Sequence, residues 1–259
     1  ISEKRLVKYE KEIDIYINNI YKKNKHYKTQ HTEIERLESK TTSWKIRQLI
    51  NLIKDILRKY KSINSYNEHI QYNPLNPYRF NGLTKFKLIK RRKINLKDSL
   101  NKRTSKDVNL DDKFIYYGLH YEPERTTLPD GGVFHDQFLA ILKLRELVPN
   151  NTKIYVKEHP SMFYDSLYGF RGRSPLFYSL IYNINNVEII DPEINTLDLI
   201  SSSLFTATIS GTLGLEPAII EKKSLIFGNS WYDGCPNTFS WSENLNYEKI
   251  ISKNIYNKE

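Results

Sequence analysis

Apolar and polar positions change their period near residue 110. Before that point the pattern is helical where it is regular. Ile13, Ile15, Ile17, Ile20 and Tyr21 are dense but unevenly spaced. Trp44, Ile46, Leu49, Ile50, Ile53, Ile56 and Leu57 form a stripe close to a 3.6-residue repeat, with Thr41-Thr42-Ser43 as N-cap residues ahead of it. Residues 63–82, with Pro74 and Pro77, read as a connection. From Lys113 short apolar runs alternate with helical spacing. Strands are predicted at Phe114–Tyr117, Ile154–Val156, Val187–Ile190, Phe205–Ile209 and Ser224–Phe227. Helices are predicted at Phe134–Leu147, Pro175–Ile184, Thr196–Ser202 and Leu213–Lys222. Such alternation implies βαβ units and a parallel sheet.

The expected fold class is therefore α/β. A Rossmann-like parallel sheet with flanking helices occupies residues 111–259, behind a basic, mostly helical region at 1–110. Charge divides at the same place. Residues 1–110 hold 27 Lys+Arg against 11 Asp+Glu, and residues 111–259 hold 13 against 19. The whole chain carries +10, which hides a +16 half and a −6 half. The two parts are expected to meet different partners, and Lys90-Arg91-Arg92-Lys93 marks the basic part as a candidate for an anionic membrane surface. The plain alternative is a solvated helical surface.

Other classes fall away. No apolar run approaches the length of a membrane span. Ile1–Glu12 is charged throughout, unlike a signal peptide, and a start at Ile rather than Met suggests a piece of a longer chain. One cysteine, Cys235, excludes an internal disulfide framework and a Cys-rich zinc site. A cytoplasmic location is expected, peripheral to the inner membrane face if the basic part binds lipid. Nucleic acid is a distant candidate, since no recognised module is present.

Two motifs follow predicted strands, at the sheet edge where open α/β folds bind ligands. Lys157-Glu158-His159-Pro160 follows the second strand. His159 can donate to a phosphate, Pro160 stiffens the turn and Lys157 adds charge; a structural histidine is the plain alternative. Ser210-Gly211-Thr212 follows the fourth strand and opens a predicted helix. Its hydroxyls, backbone N–H groups and glycine suit a phosphate, and an ordinary Ser cap with a packing glycine would look the same. Glu216, about one and a half turns into that helix, can accept from ribose hydroxyls, or be a solvated carboxylate. The first strand-to-helix loop, Tyr121–Gly132, is long and carries Arg125, suited to a carboxylate or phosphate. Gly228–Pro236, with Trp231 and Tyr232, can line a pocket or pack the chain end.

These four pieces, across residues 113–240, resemble the bacterial capsule polysaccharide biosynthesis proteins, the family that contains the Kdo transferases of capsule assembly. The resemblance implies a GT-B glycosyltransferase whose C-terminal Rossmann-like domain holds the nucleotide, often CMP. It implies donor contacts from His159, Pro160, Ser210, Gly211 and Thr212, with Lys157, Arg125 and Glu216 added from the reading above, and His159 as the catalytic candidate. No cofactor or metal is called for. The chain departs from the family in residues 1–110, which do not read as a complete Rossmann acceptor domain; the family's catalytic base is expected there and none is named. The expected activity is sugar transfer from a nucleotide donor to a glycan or glycolipid. Rivals are a CDP-polyol phosphotransferase of teichoic-acid type and a noncatalytic nucleotide- or glycan-binding partner.

Overall fold

The computed structural model describes residues 46, 47, 49–51, 53, 54, 82–122, 124, 126–163 and 169–252. The chain divides into two compact units, residues 1–89 and 90–259. In the first unit, the described residues between 46 and 54 are helical, and Ile46, Leu49, Ile50 and Ile53 of the predicted stripe are exposed. The other candidate helices of 1–62 lie outside the described residues.

Helix α1 (Gly82–Asn101) leads into the second unit. Its spacing puts Leu96, Ser99 and Leu100 on one buried stripe, while Ile94 stays exposed. Ser99 Oγ donates to the Pro175 carbonyl at 3.1 Å, tying the end of α1 to a distant segment. After it come β1 (Thr104–Ser105), β2 (Phe114–Gly118), α2 (Gln137–Leu147), β3 (Lys153–Lys157), α3 (Pro175–Tyr182), β4 (Val187–Ile190), α4 (Thr196–Ser202), β5 (Thr206–Thr208), α5 (Glu216–Ile219), β6 (Ser224–Ile226), β7 (Thr238–Ser240) and α6 (Tyr247–Ser252).

The strands form one sheet in the order β1-β4-β3-β2-β5-β6-β7, every pair parallel. This is the α/β Rossmann-like architecture that the alternating pattern predicts. The central strands carry buried residues on both faces, Phe114–Tyr117 of β2 and Ile154–Val156 of β3 among them, because both faces are covered. Phe114 and Tyr116 of β2, Tyr155 of β3 and Ile190 pack on one side with Leu199 and Ile200 of α4. Side-chain alternation sends Ile115 and Tyr117 to the opposite face, and both are fully buried.

Helix starts follow local chemistry. Asp136 accepts from the Phe138 N–H at 3.1 Å and caps α2. Ser174 caps α3 with Pro175 in the first turn, and Asn195 accepts from Leu197 N–H at 2.9 Å to cap α4.

The predicted helix at 213–222 is broken into a 3-10 turn, Thr212–Gly214, and the four-residue α5. In a continuous helix the Leu213 carbonyl would accept from residue 217, which is Pro217 and has no N–H. Thr206 Oγ1 donates to that carbonyl instead, at 3.1 Å, and Ser224 Oγ donates to the Gly214 carbonyl at 2.5 Å. Hydroxyls on two strands thus take the acceptors that a helix would have used. The edge strands β1 and β7 are additions to the five predicted strands.

Leu100→Ala is expected to lower unfolding stability by about 2–5 kcal/mol, and Ile94→Ala on the exposed side of the same helix by less than about 0.5 kcal/mol. Urea denaturation of both variants checks this; equal losses would show that α1 is not docked through its Leu96–Leu100 stripe.

Candidate functional site

The strand order reverses direction at β2. The chain steps from β2 to β3 and β4 on one side, then returns to β5 and β6 on the other. The topological switch point is the gap between β2 and β5, and ligands of open α/β sheets bind outside the C-terminal strand ends there. Three adjacent strands deliver the segments of interest: β3 leads to His159, β2 to the loop beginning at Leu119, and β5 to Ser210-Gly211-Thr212. With strands about 4.8 Å apart, the three ends span about 10 Å.

A buried ion cluster joins the first two segments to the loop before α3. Arg173 is 3% exposed, and Glu158 is 1% exposed. Arg173 Nη1 donates to Glu122 Oε2 at 2.7 Å, Nε to Glu158 Oε2 at 3.2 Å, and Nη2 to the His120 carbonyl at 2.8 Å. Glu158 also accepts from the Tyr178 hydroxyl at 2.6 Å and from the His159 N–H at 2.7 Å. Glu122 accepts from Gln137 Nε2 at 2.6 Å, while Gln137 Oε1 accepts from the His120 N–H at 2.8 Å. The guanidinium lies over the Phe177 ring, 4.4 Å from its centre. Burial works against the charge on Arg173, but Glu158 and Glu122 outweigh it and hold its pKa above the ordinary value. Gly172 touches the backbone of Glu122 so closely that a Cβ there would sit 2.6 Å from the Glu122 carbonyl carbon. Only glycine lets the Arg173 loop lie this near.

His120 fills the switch point itself. It is 6% exposed. One tautomer satisfies every neighbour. Nε2 accepts from the Ser210 N–H at 3.3 Å and faces Thr208 Oγ1 at 2.9 Å. Nδ1–H then faces Thr126 Oγ1 at 3.1 Å, whose own proton goes to Glu124 Oε2 at 3.0 Å. The assignment follows from the network. Burial first, and then the proximity of His159 and Arg173, push the His120 pKa down to about 3, so the ring is neutral at physiological pH.

The predicted site residues separate into those turned inward and those at the edge. Lys157 is 5% exposed; its ammonium donates to the Ile194 carbonyl and, at 2.8 Å, to Thr196 Oγ1. Burial pulls its pKa down to about 8, against Glu193 and Asp191. Ser210 Oγ donates to the Thr126 carbonyl at 2.5 Å, so its hydroxyl closes the first loop onto the turn. Gly211 has ordinary extended backbone, and a Cβ there would lie 3.0 Å from His120 Cε1. Packing against His120 is what this glycine serves. Glu216 begins α5 instead of lying well inside a longer helix.

His159 and Thr212 remain at the edge. Pro160 opens a 3-10 turn, and the Ser161 N–H donates to His159 Nδ1 at 3.2 Å. The neutral ring therefore carries its proton on Nε2. Its edge faces Tyr121, with ring centres 6.2 Å apart. Burial lowers the His159 pKa, helped by Arg173 and Lys157 and opposed by Glu158 and Glu124. His159 is thus a neutral hydrogen-bond donor. Thr212 is exposed at the first position of its turn. Arg125 lies outside the described residues. Among the described residues, no group of three or more His, Cys, Asp or Glu side chains is placed to hold a metal, and no helix is long and apolar enough to cross a membrane.

Sequence reasoning missed Arg173, His120, Gln137 and Tyr178. One signal was present: the connection from β3 to α3 is long and carries Gly169-Phe170-Arg171-Gly172-Arg173, and long loops at this edge are often functional.

No protein-family model matches the chain, and no curated protein matches it. Solved structures similar to it include two Thermosulfurimonas dismutans KpsC structures. The β-Kdo 2,7-transferase is 18% identical, with 64% of this chain and 55% of that one covered and a TM-score of 0.40. The β-Kdo 2,4-transferase is 20% identical, with 72% and 54% covered and a TM-score of 0.39. The UDP-GlcNAc 2-epimerase of Methanocaldococcus jannaschii is 16% identical, with 67% and 44% covered and a TM-score of 0.35. The chain matches about half the length of these proteins. Similarity at this level assigns no activity.

Two outcomes are expected of the buried groups. Arg173→Met leaves Glu122 and Glu158 without their cation and should cost about 3–5 kcal/mol in urea denaturation; a loss under about 1 kcal/mol would show that the cluster is not an energetic centre. For His120, the unfolded chain takes up a proton near pH 6.5 and the folded chain only near 3. Stability therefore falls as pH drops through that window, by up to about 1.4 kcal/mol per unit from this group. His120→Gln should show a shallower decline between pH 7 and pH 4; parallel slopes would contradict the buried neutral imidazole.

Proposed function

We propose that the chain is the nucleotide-binding part of a GT-B glycosyltransferase acting in bacterial surface-polysaccharide synthesis, with a CMP-linked donor. The observation that carries this reading is the convergence of His159 and the Ser210–Thr212 turn on one switch point. Both are fixed by a buried network that leaves a neutral imidazole donor and an exposed threonine at the sheet edge. Perturbed ionisable groups gathered at such an edge mark functional sites more often than chance. The likeness of the four sequence motifs to capsule polysaccharide proteins supports the substrate class.

In this scheme the sugar's anomeric carbon leaves the donor phosphate oxygen and bonds to an acceptor hydroxyl. The hydroxyl proton passes to a base outside the residues named here. His159 Nε2–H donates to the departing phosphate oxygen as negative charge builds there, a stabilisation that grows towards the transition state. Pro160 holds the turn that orients the ring. Thr212, Ser210 and Gly211 form the phosphate-facing turn, Glu216 receives ribose hydroxyls, and Lys157 supports the edge from beneath. Arg125 holds the donor carboxylate if the sugar is an ulosonic acid. The acceptor is a glycan or glycolipid. Residues 1–110 act as a separate basic part, with an anionic membrane surface as their partner.

Calorimetric titration of the 259-residue chain with CMP, CDP, UDP and GDP tests the reading. Selective binding of cytidine nucleotides is expected, weakened by at least about tenfold in His159→Ala, the loss of a hydrogen bond to a charged group. Preference for UDP or GDP would discard the CMP-linked donor. Absence of binding by the parent chain, or unchanged binding by the variant, would count against this site.

A further inference from the structure

Tyr232 lies at the C-terminal side of β6, in the loop Gly228–Pro236. It is 2% exposed. Its hydroxyl donates to the Gly211 carbonyl, which also accepts from the Gly214 N–H at 2.9 Å. The hydroxyl end of its ring abuts the same turn: a Cβ on Gly214 would meet the Tyr232 hydroxyl oxygen and stand 2.8 Å from Cε2. The loop is held in its turn, because the Asn229 N–H donates to the Asp130 carbonyl at 2.8 Å and the Gly228 N–H to the Ile209 carbonyl at 2.8 Å.

The consequence lies in one peptide plane. The Gly211 carbonyl and the Thr212 N–H belong to the same trans peptide and point in opposite directions. A donor that grips the carbonyl from inside the protein therefore turns the N–H away from it. Two peptides earlier, His120 holds the Ile209–Ser210 unit by accepting the Ser210 N–H. Two side chains from two different loops thus fix the first and last of the three peptides between Ile209 and Thr212. Burial keeps the Tyr232 phenol protonated by raising its pKa, so it remains a donor across the physiological range.

We propose that Tyr232 is a positioning residue of the site: by holding the Gly211 carbonyl it aims the Thr212 N–H at an anionic oxygen of the bound ligand. This rests on the nucleotide reading given above. It adds that the phosphate, not the nucleoside, is the part of the ligand that depends on the β6 loop. Tyr232 touches no ligand in this scheme and acts through the backbone of Gly211 and Thr212.

The test is Tyr232→Phe in the 259-residue chain, which keeps the ring against Gly214 and removes only the hydroxyl. CMP and cytidine are titrated against the parent and the variant, and amide hydrogen exchange is followed across residues 210–215. The expected result is about tenfold weaker CMP binding with cytidine affinity unchanged, together with faster exchange in that segment. A merely structural role would weaken both ligands alike or neither. Equal loss of both, or no loss, overturns the proposal while leaving the nucleotide reading intact. If the parent binds neither ligand, the nucleotide reading fails and the proposal fails with it, an outcome distinct from loss or retention of CMP binding in the variant alone. Should Tyr232→Phe fail to fold, Gly214→Ala, which pushes on the same ring, replaces it with the same outcomes.

Discussion

Everything at this sheet edge depends on one buried cation. The Arg173 guanidinium is removed from water, and such burial is costly unless the charge is paired and its N–H groups are used. Nε, Nη1 and Nη2 each find an oxygen: two from carboxylates and one from a backbone carbonyl. The carboxylates are in turn supplied with donors by Tyr178, Gln137 and the His159 N–H. A half-satisfied network would be worse than an apolar core. Here the contacts tie the loops after β2 and β3 to the segment before α3 through one guanidinium.

That constraint passes to the two histidines. Arg173 binds the His120 carbonyl, and Gln137 binds both its N–H and its carbonyl. The backbone of His120 is therefore fixed before its ring meets Ser210. The ring can then serve as an acceptor for the Ser210 N–H only while neutral, and burial together with the positive field of Arg173 keeps it so. Glu158 reaches the backbone N–H of His159, while the Ser161 N–H settles which of that residue's ring nitrogens carries the proton. The catalytic candidate is thus oriented by neighbours along its own chain and by a carboxylate whose charge Arg173 compensates.

The sheet was legible because its signal is local. Val187–Ile190 and Thr196–Ser202 announce themselves by runs and spacing, and the structure has them with those limits. The edge strands β1 and β7 carry no apolar run, since Thr104-Ser105 and Thr238-Phe239-Ser240 face partners on one side only. The helix predicted at 213–222 failed for a reason that spacing does not encode: Pro217 removed one donor, and hydroxyls from β5 and β6 claimed the freed carbonyls. Of the site, Lys157-Glu158-His159-Pro160 and Ser210-Gly211-Thr212 were visible as motifs, but not the direction of each side chain. Strand alternation sends Lys157 and Glu158 to opposite faces of the sheet. Arg173 and His120 were invisible because their meaning is a set of tertiary contacts, such as Arg173 to His120 across 53 positions and His120 to Ser210 across 90.

The same contacts say what kind of ligand such an edge can discriminate. A site built on bare cations attracts any polyanion through long-range charge, and its affinity follows salt steeply. Among the described residues, the cations nearest this edge are engaged from within: Lys157 by a carbonyl and a threonine, Arg173 by two carboxylates. What remains at the edge is a partly buried imidazole and an exposed threonine at the start of its turn. Such donors act over hydrogen-bond distance and require an acceptor in a set place. Under the nucleotide proposal, geometry would select the ligand more than charge does, as suits a phosphate held at one position on a small nucleotide. Under the proposed membrane contact, the +16 of residues 1–110 would instead act at longer range and select by charge.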